Sequence, residues 1–214
     1  MSTEILNFVK NIDKREMETQ LALQCSPLIM RIKIANLFTI TERCQNQVEK
    51  VFQDTDLKVM YLLKSCGKIT YLMYQEKQLG QYLCDGAVYS FLWEYGYHFS
   101  SLEEMLKLFQ QRYSAYMFEG DKFPHEMGIF LGYPLEDVRG FIRNKGKNYL
   151  YAGYWKVYHN PDTKLELFRE YDRARNFVME LITQGMSITS IINFCNDNDD
   201  FKNIFFAGTD STAV

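Results

Sequence analysis

His125 and Glu126, inside the run Phe123-Pro124-His125-Glu126, are the pair whose types best suit chemistry. An imidazole that titrates near neutrality beside a carboxylate can carry a proton, so the two read as a general acid and base, with Lys156 as the electrostatic stabiliser of developing charge. Neighbouring residues on a turn usually point apart, however. The competing reading has Pro124-His125-Glu126 turning the chain, with His125 hydrogen-bonded to backbone. A zinc site of the HExxH kind would place a second histidine at position 129, which is Ile129, so no metal is expected.

A second set is crowded into the same stretch, residues 123–158: Tyr133, Asp137, Arg139, Asn144, Trp155 and Lys156. If these side chains face a cleft, Trp155 supplies a flat apolar wall, and Lys156 or Arg139 offers charge to an acidic ligand. If they do not, Trp155 is core and Lys156 points outward from a strand. The chain turn at Gly132-Tyr133-Pro134 opens a helix whose N-terminus could hold an anion, but Glu136 and Asp137 already occupy that positive end. No nucleophile with its base and orienting partner is recognisable. Three readings follow: a pocket for a small ligand or a protein partner, an enzyme using His125 and Glu126, or a packing hub with no ligand. No cofactor is specified.

Elsewhere the chemistry is thinner. Five cysteines are widely spread without a CxxC pair, which fits free thiols better than disulfides or a zinc ribbon. Cys25 precedes Pro27 at an expected helix end, where a thiol is raised rather than activated. Arg169, Arg173 and Arg175 alternate with Glu166, Glu170 and Asp172 at helical spacing, the pattern of a solvated, ion-paired face. Residues 203–212 are similar to the strand and phosphate loop of flavodoxins, but Asp210 stands where a glycine is needed, and FMN is not expected there.

The elements that would position these groups follow from periodicity and punctuation. A helix is expected over residues 3–24 and ended by Pro27; a strand over 32–40 leads into a helix over 42–53. Residues 57–65 and 68–75 flank Cys66-Gly67 as a hairpin, with Ile69, Tyr71 and Met73 on one face and Thr70, Leu72 and Tyr74 on the other. One helix or two short ones fill residues 76–95, weakened by Gly80 and Gly86. Ser100-Ser101-Leu102-Glu103-Glu104 opens a helix as a capping box. GIFLGY, residues 128–133, reads as a buried strand. Pro134 at a first helical position, with Gly146 past the end, brackets the next helix. Residues 149–158 read as a strand, Pro161-Asp162 starts a long helix stopped by Gly185, and Ser187 caps a last short one.

Together these give an α+β fold, a mixed, mostly antiparallel sheet with a β-hairpin, covered by several helices, as a single domain over residues 1–195 with a polar tail over 196–214. The βαβ alternation of a doubly wound nucleotide-binding fold is missing. With 15 Tyr and 16 Phe among 214 residues, disorder is untenable for most of the chain, and a net charge of −3 supplies no field for a phosphate backbone, so nucleic acid is not an expected partner. The first twenty residues break their apolar positions with charge in every turn; neither a signal peptide nor a membrane partner is expected, and the location is read as cytoplasmic.

The block FPHEMGIFLGYPLEDVRGFIRNKG, followed by GYWKVY, together with the earlier CSPLIMRIKIANLF, resembles a bacterial family known as a domain of unknown function. The similarity covers roughly residues 20–190. It implies a bacterial accessory or regulatory protein in a setting of redox or iron physiology, and it carries no activity. Relatives often place a cysteine where this chain has Tyr151, so thiol chemistry at that point is not carried over.

Overall fold

The computed structural model describes residues 17–98 and 101–197. Its centre is a three-stranded antiparallel sheet in the order β1-β3-β2, built from β1 (Ala35–Thr41), β2 (Leu57–Ser65) and β3 (Lys68–Gln75). The β2–β3 turn works because Cys66 and Gly67 both take the left-handed conformation, at φ 50° and 70°, which matches the twist of the flanking strands. No parallel pairing occurs in this sheet, so the mixed component expected from the sequence is replaced by a wholly antiparallel one.

Strand alternation divides the core in two. Phe38, Ile40, Ile69, Tyr71 and Met73 face one layer, made of α1 (Met17–Ile29), α2 (Gln45–Gln53), α8 (Pro161–Thr183) and α9 (Ile188–Asp197). Ala35, Leu62 and Leu72 face the other, made of α3 (Glu76–Leu83), α4 (Gly86–Glu94), α5 (Leu102–Glu119), α6 (Met127–Phe130) and α7 (Leu135–Arg143). This is an α+β sandwich of helix, sheet and helix. Both sheet edges are closed by side-chain amides: Gln24 exchanges two hydrogen bonds with the Thr39 backbone at 3.1 and 3.2 Å, and Gln110 donates to the Tyr61 carbonyl at 2.6 Å beside the β2 bulge. Among the described residues no helix is long and apolar enough to cross a membrane.

Four expectations need correction or completion. Pro27 lies inside α1 and does not end it; the helix stops two residues later at Ile29, just before Arg31 turns left-handed (φ 62°) and Ile32 N donates to Pro27 O at 2.9 Å. The GIFLGY run is a helical turn, α6, and no strand. Tyr133 N reaches back to Gly128 O and Gly132 N to Ile129 O, both at 2.9 Å, a closure that only a residue tolerant of φ 74° at position 132 allows. The 149–158 strand is reduced to a small hairpin, β4 (Tyr151–Ala152) with β5 (Lys156–Val157), antiparallel. Residues 76–95 form two helices, α3 and α4, with Asp85 capping the second. The expected first turns of the N-terminal helix, residues 3–16, and nearly all of the tail lie outside the described residues.

Candidate functional site

α6 and α7 are joined by the tight closure at Gly132 and Tyr133, then Pro134, which stands at the N-cap of α7 and not at its first turn. The β4–β5 hairpin then folds back on α7. It comes so close at Gly140 that an added Cβ would lie 2.4 Å from Tyr158 Cβ. The hairpin packs Trp155 and Val157 with Phe168 and Tyr171 of α8 in a third apolar cluster.

Between α6, α7 and this hairpin lies a pocket of about 230 Å³. Phe123, Met127, Val138 and Phe141 form its apolar walls, Tyr133, Tyr154 and Trp155 its aromatic floor, and His125, Asp137 and Lys156 bring the ionisable groups. Tyr133 and Trp155 are stacked on each other, with centroids 4.8 Å apart and planes at 25°, and Trp155 meets Phe168 edge to face. Burial pushes the Tyr133 hydroxyl up to about 12, so it stays protonated at neutral pH.

Most polar groups here are already committed. Asp137, 2% exposed, accepts from Trp155 Nε1 at 2.8 Å and from the Tyr158 and His159 amides at 2.8 and 3.0 Å. It holds the hairpin against α7. Lys156 donates to Gly146 O at 2.8 Å, satisfying a carbonyl just beyond the end of α7, while its ammonium lies over the Phe141 and Tyr149 rings. The Tyr154 hydroxyl donates to Asp172 at 3.0 Å and accepts from Arg175, and burial pushes it up to about 12.

His125 differs. Its ring packs between Phe123 and Phe141, with centroids at 5.4 and 5.7 Å, and its Nδ1 is buried without any hydrogen-bond partner. The residue lines both the pocket and a wider open groove of about 680 Å³ on the side of α5. Glu126 belongs to that groove alone, where its buried carboxylate accepts from Arg112 at 3.0 Å and from the Tyr97 hydroxyl at 3.2 Å. Burial first, and the Glu126 charge second, raise the Tyr97 hydroxyl.

Of the eight residues singled out from the sequence, His125, Tyr133, Asp137, Trp155 and Lys156 line one hollow; Glu126, Arg139 and Asn144 do not. Arg139 is exposed and lies over the Phe91 ring of α4, and Asn144 donates to Gly140 O at 2.9 Å to close α7. The walls Phe141 and Tyr154 were missed. Phe141 lies four residues after Asp137, one helical turn along the same face, and Tyr154 adjoins Trp155, so spacing held the signal for both.

The patch around Cys25 lies behind the Tyr133 ring. Cys25 sits within α1, fully buried, and burial pushes its thiol up to about 12, so it is its surroundings and not a helix end that keep the thiol protonated. Lys33, 6% exposed, donates to Asn36 Oδ1 at 2.5 Å and stands 5.4 Å from the Tyr133 ring centroid; burial lowers it to about 8. Among the described residues no group of three or more His, Cys, Asp or Glu is placed to hold a metal ion.

The family model described as "Protein of unknown function (DUF3793)" matches residues 21–192. The chain belongs to that family. The matched span runs from within α1 to the middle of α9 and so contains the sheet, the pocket and the groove. Comparison with curated proteins and with solved structures returns no match.

Proposed function

We propose that this member of the family binds a small, planar, largely apolar molecule in the pocket between α6, α7 and the β4–β5 hairpin, and that one polar group of the ligand pairs with His125 Nδ1. The observation that carries the reading is the orphaned nitrogen: a buried polar atom without a partner is costly, and here it stands beside Asp137, Tyr154, Trp155 and Lys156, whose polar groups are engaged. Size sets the ligand. An apolar cavity of roughly 150 Å³ accepts benzene, so a pocket of about 230 Å³ suits one or two fused rings. The reading of His125 and Glu126 as a proton-transfer pair draws no support from this arrangement, because the carboxylate is occupied by Arg112 and Tyr97.

The test uses 2-naphthol and naphthalene as probes, followed through the Trp155 indole N–H resonance, with Trp93→Phe assigning the second indole. The wild-type chain is expected to prefer 2-naphthol by about fivefold, one net hydrogen bond, and His125→Ala to erase that preference with little change in melting temperature. No probe binding refutes the proposal. Binding intact in His125→Ala with a melting temperature lowered by several degrees supports the packing-hub reading instead.

A further inference from the structure

From Arg143 to Asn160 the sequence carries four Lys or Arg and no Asp or Glu, within a chain of net charge −3. The middle of this run is also where three consecutive apolar side chains are left in solvent: Tyr149 at 45%, Leu150 at 61% and Tyr151 at 41% exposure. Arg143, Lys145, Lys147 and Lys156 are exposed around them. The acid that the hairpin touches on the surface, Asp172, is already paired with Arg175. Asp137 is buried beneath.

The segment is not a loose loop. Lys145, Gly146 and Asn148 all have positive φ, at 51°, 70° and 55°, a conformation that lysine and asparagine adopt only against a steric penalty. It is tied at both ends: Gly146 N donates to Phe141 O at 2.9 Å, Lys147 N to Asn144 O at 2.9 Å, and Leu150 N to Val157 O at 2.8 Å. Lys156 adds its bond to Gly146 O and packs on Tyr149. A backbone held this firmly keeps an apolar tip exposed that would otherwise collapse onto the hairpin.

We infer that residues 143–151, with Lys156, form a docking strip for an anionic lipid bilayer surface. Leu150 enters the boundary between headgroups and acyl chains, Tyr149 and Tyr151 sit at headgroup level, and Arg143, Lys145 and Lys147 face lipid phosphates and carboxylates while Lys156 braces the strip from behind. The leucine favours lipid over nucleic acid, since it has no planar face on which a base could stack. The strip is also short for a stable protein interface, which takes roughly 20–30 residues from each side. Such docking runs against the sequence expectation of no membrane partner, which rested on the lack of an apolar spanning run, a feature that peripheral contact does not need. The inference is independent of the pocket's occupant.

The test is co-sedimentation of the full chain with vesicles. Binding is expected to phosphatidylcholine vesicles containing phosphatidylserine, to be absent with phosphatidylcholine alone, and to weaken as salt is raised. Arg143→Gln with Lys147→Gln should weaken it by at least about tenfold, leaving the left-handed Lys145 untouched, and Leu150→Ser by about as much. Leu150→Trp should bind and shift its emission to the blue on adding the anionic vesicles, a readout that stands if Leu150→Ser does not fold. Equal binding to both vesicle types, no binding to either, or unchanged binding by the substituted chains overturns the inference. So does capture of a poly-dT oligonucleotide, lost in the Arg143/Lys147 double substitution, when vesicles are ignored.

Discussion

Asp137 offers the sharpest test of how the hairpin is held. Its carboxylate has no cation against it among the described residues, and its three partners are the Trp155 indole and the Tyr158 and His159 amides. Asp137→Ala leaves three donors without an acceptor. The His159 amide belongs to an exposed residue and can turn to water, so the cost falls on the other two. At 1–3 kcal/mol for each buried donor, partly offset by no longer burying a charge, the loss is about 3 kcal/mol. For a chain of this size that is a fall in melting temperature of about 6–12 °C. Asp137→Asn separates the partners. It keeps Oδ1 for the two amides and sets an NH2 against the indole N–H, a donor facing a donor, for about 1–2 kcal/mol. In a Trp155→Phe background that conflict is gone, and Asp137→Asn should cost correspondingly less. Chemical denaturation of the four proteins gives the cycle. A melting temperature for Asp137→Ala within about 2 °C of the wild type, or an Asn penalty unchanged by Trp155→Phe, refutes the assignment. Loss of 2-naphthol binding with unchanged stability would mark Asp137 as a ligand group instead.

Two further outcomes rest on the same neighbourhood. Lys33 is lowered by burial from 10.5 to about 8, so between those values the unfolded chain keeps a proton that the folded chain has released, and stability at this site rises with pH. Below pH 8 both states are protonated and the burial penalty is at its full size. The stability of Lys33→Met relative to the wild type should therefore fall by on the order of 3 kcal/mol between pH 7 and pH 10.5 in denaturation curves, and a difference independent of pH would sink the argument. Gly140→Ala should destabilise by about 1–3 kcal/mol, because its Cβ would fall 2.4 Å from Tyr158 Cβ, whereas Gly86→Ala, with open space around its Cβ, should stabilise by about 0.5 kcal/mol; equal effects at the two sites would show that the hairpin does not rest on α7.

What the sequence discloses here is mostly local. The Cys66-Gly67 turn, the two faces of β3, the Ser101 cap bonded to Glu104 N and the stop of α8 before Gly185 each depend on residues within a few positions, and all can be read directly. Errors arise where one signal permits two structures. GIFLGY is too short for its apolar pattern to separate strand from helix, and the closure at Gly132 decides in favour of helix. The end of α1 was misread because Arg31 takes the left-handed position usually given to glycine. The site shows a different limit. That Tyr133, Asp137, Trp155 and Lys156 lie near one another could be read from their crowding, but the atoms each one meets depend on partners supplied by folding. Glu126 finds Arg112 and Tyr97, respectively 14 and 29 residues upstream, and leaves the histidine beside it alone.

The hub and the pocket are therefore not rival accounts of one set of residues. A hollow lined by mobile side chains would collapse or bind weakly, since ordering them on binding costs free energy. Here Asp137 fixes the indole, the indole stacks on Tyr133, and Lys156 fixes the far wall at Phe141 through Gly146. These bonds hold the lining in place, and within it His125 Nδ1 has no partner, as the proposed ligand reading requires. The division predicts opposite signatures for neighbouring side chains: substitutions at Asp137 and Trp155 should act through stability, and substitution at His125 through binding.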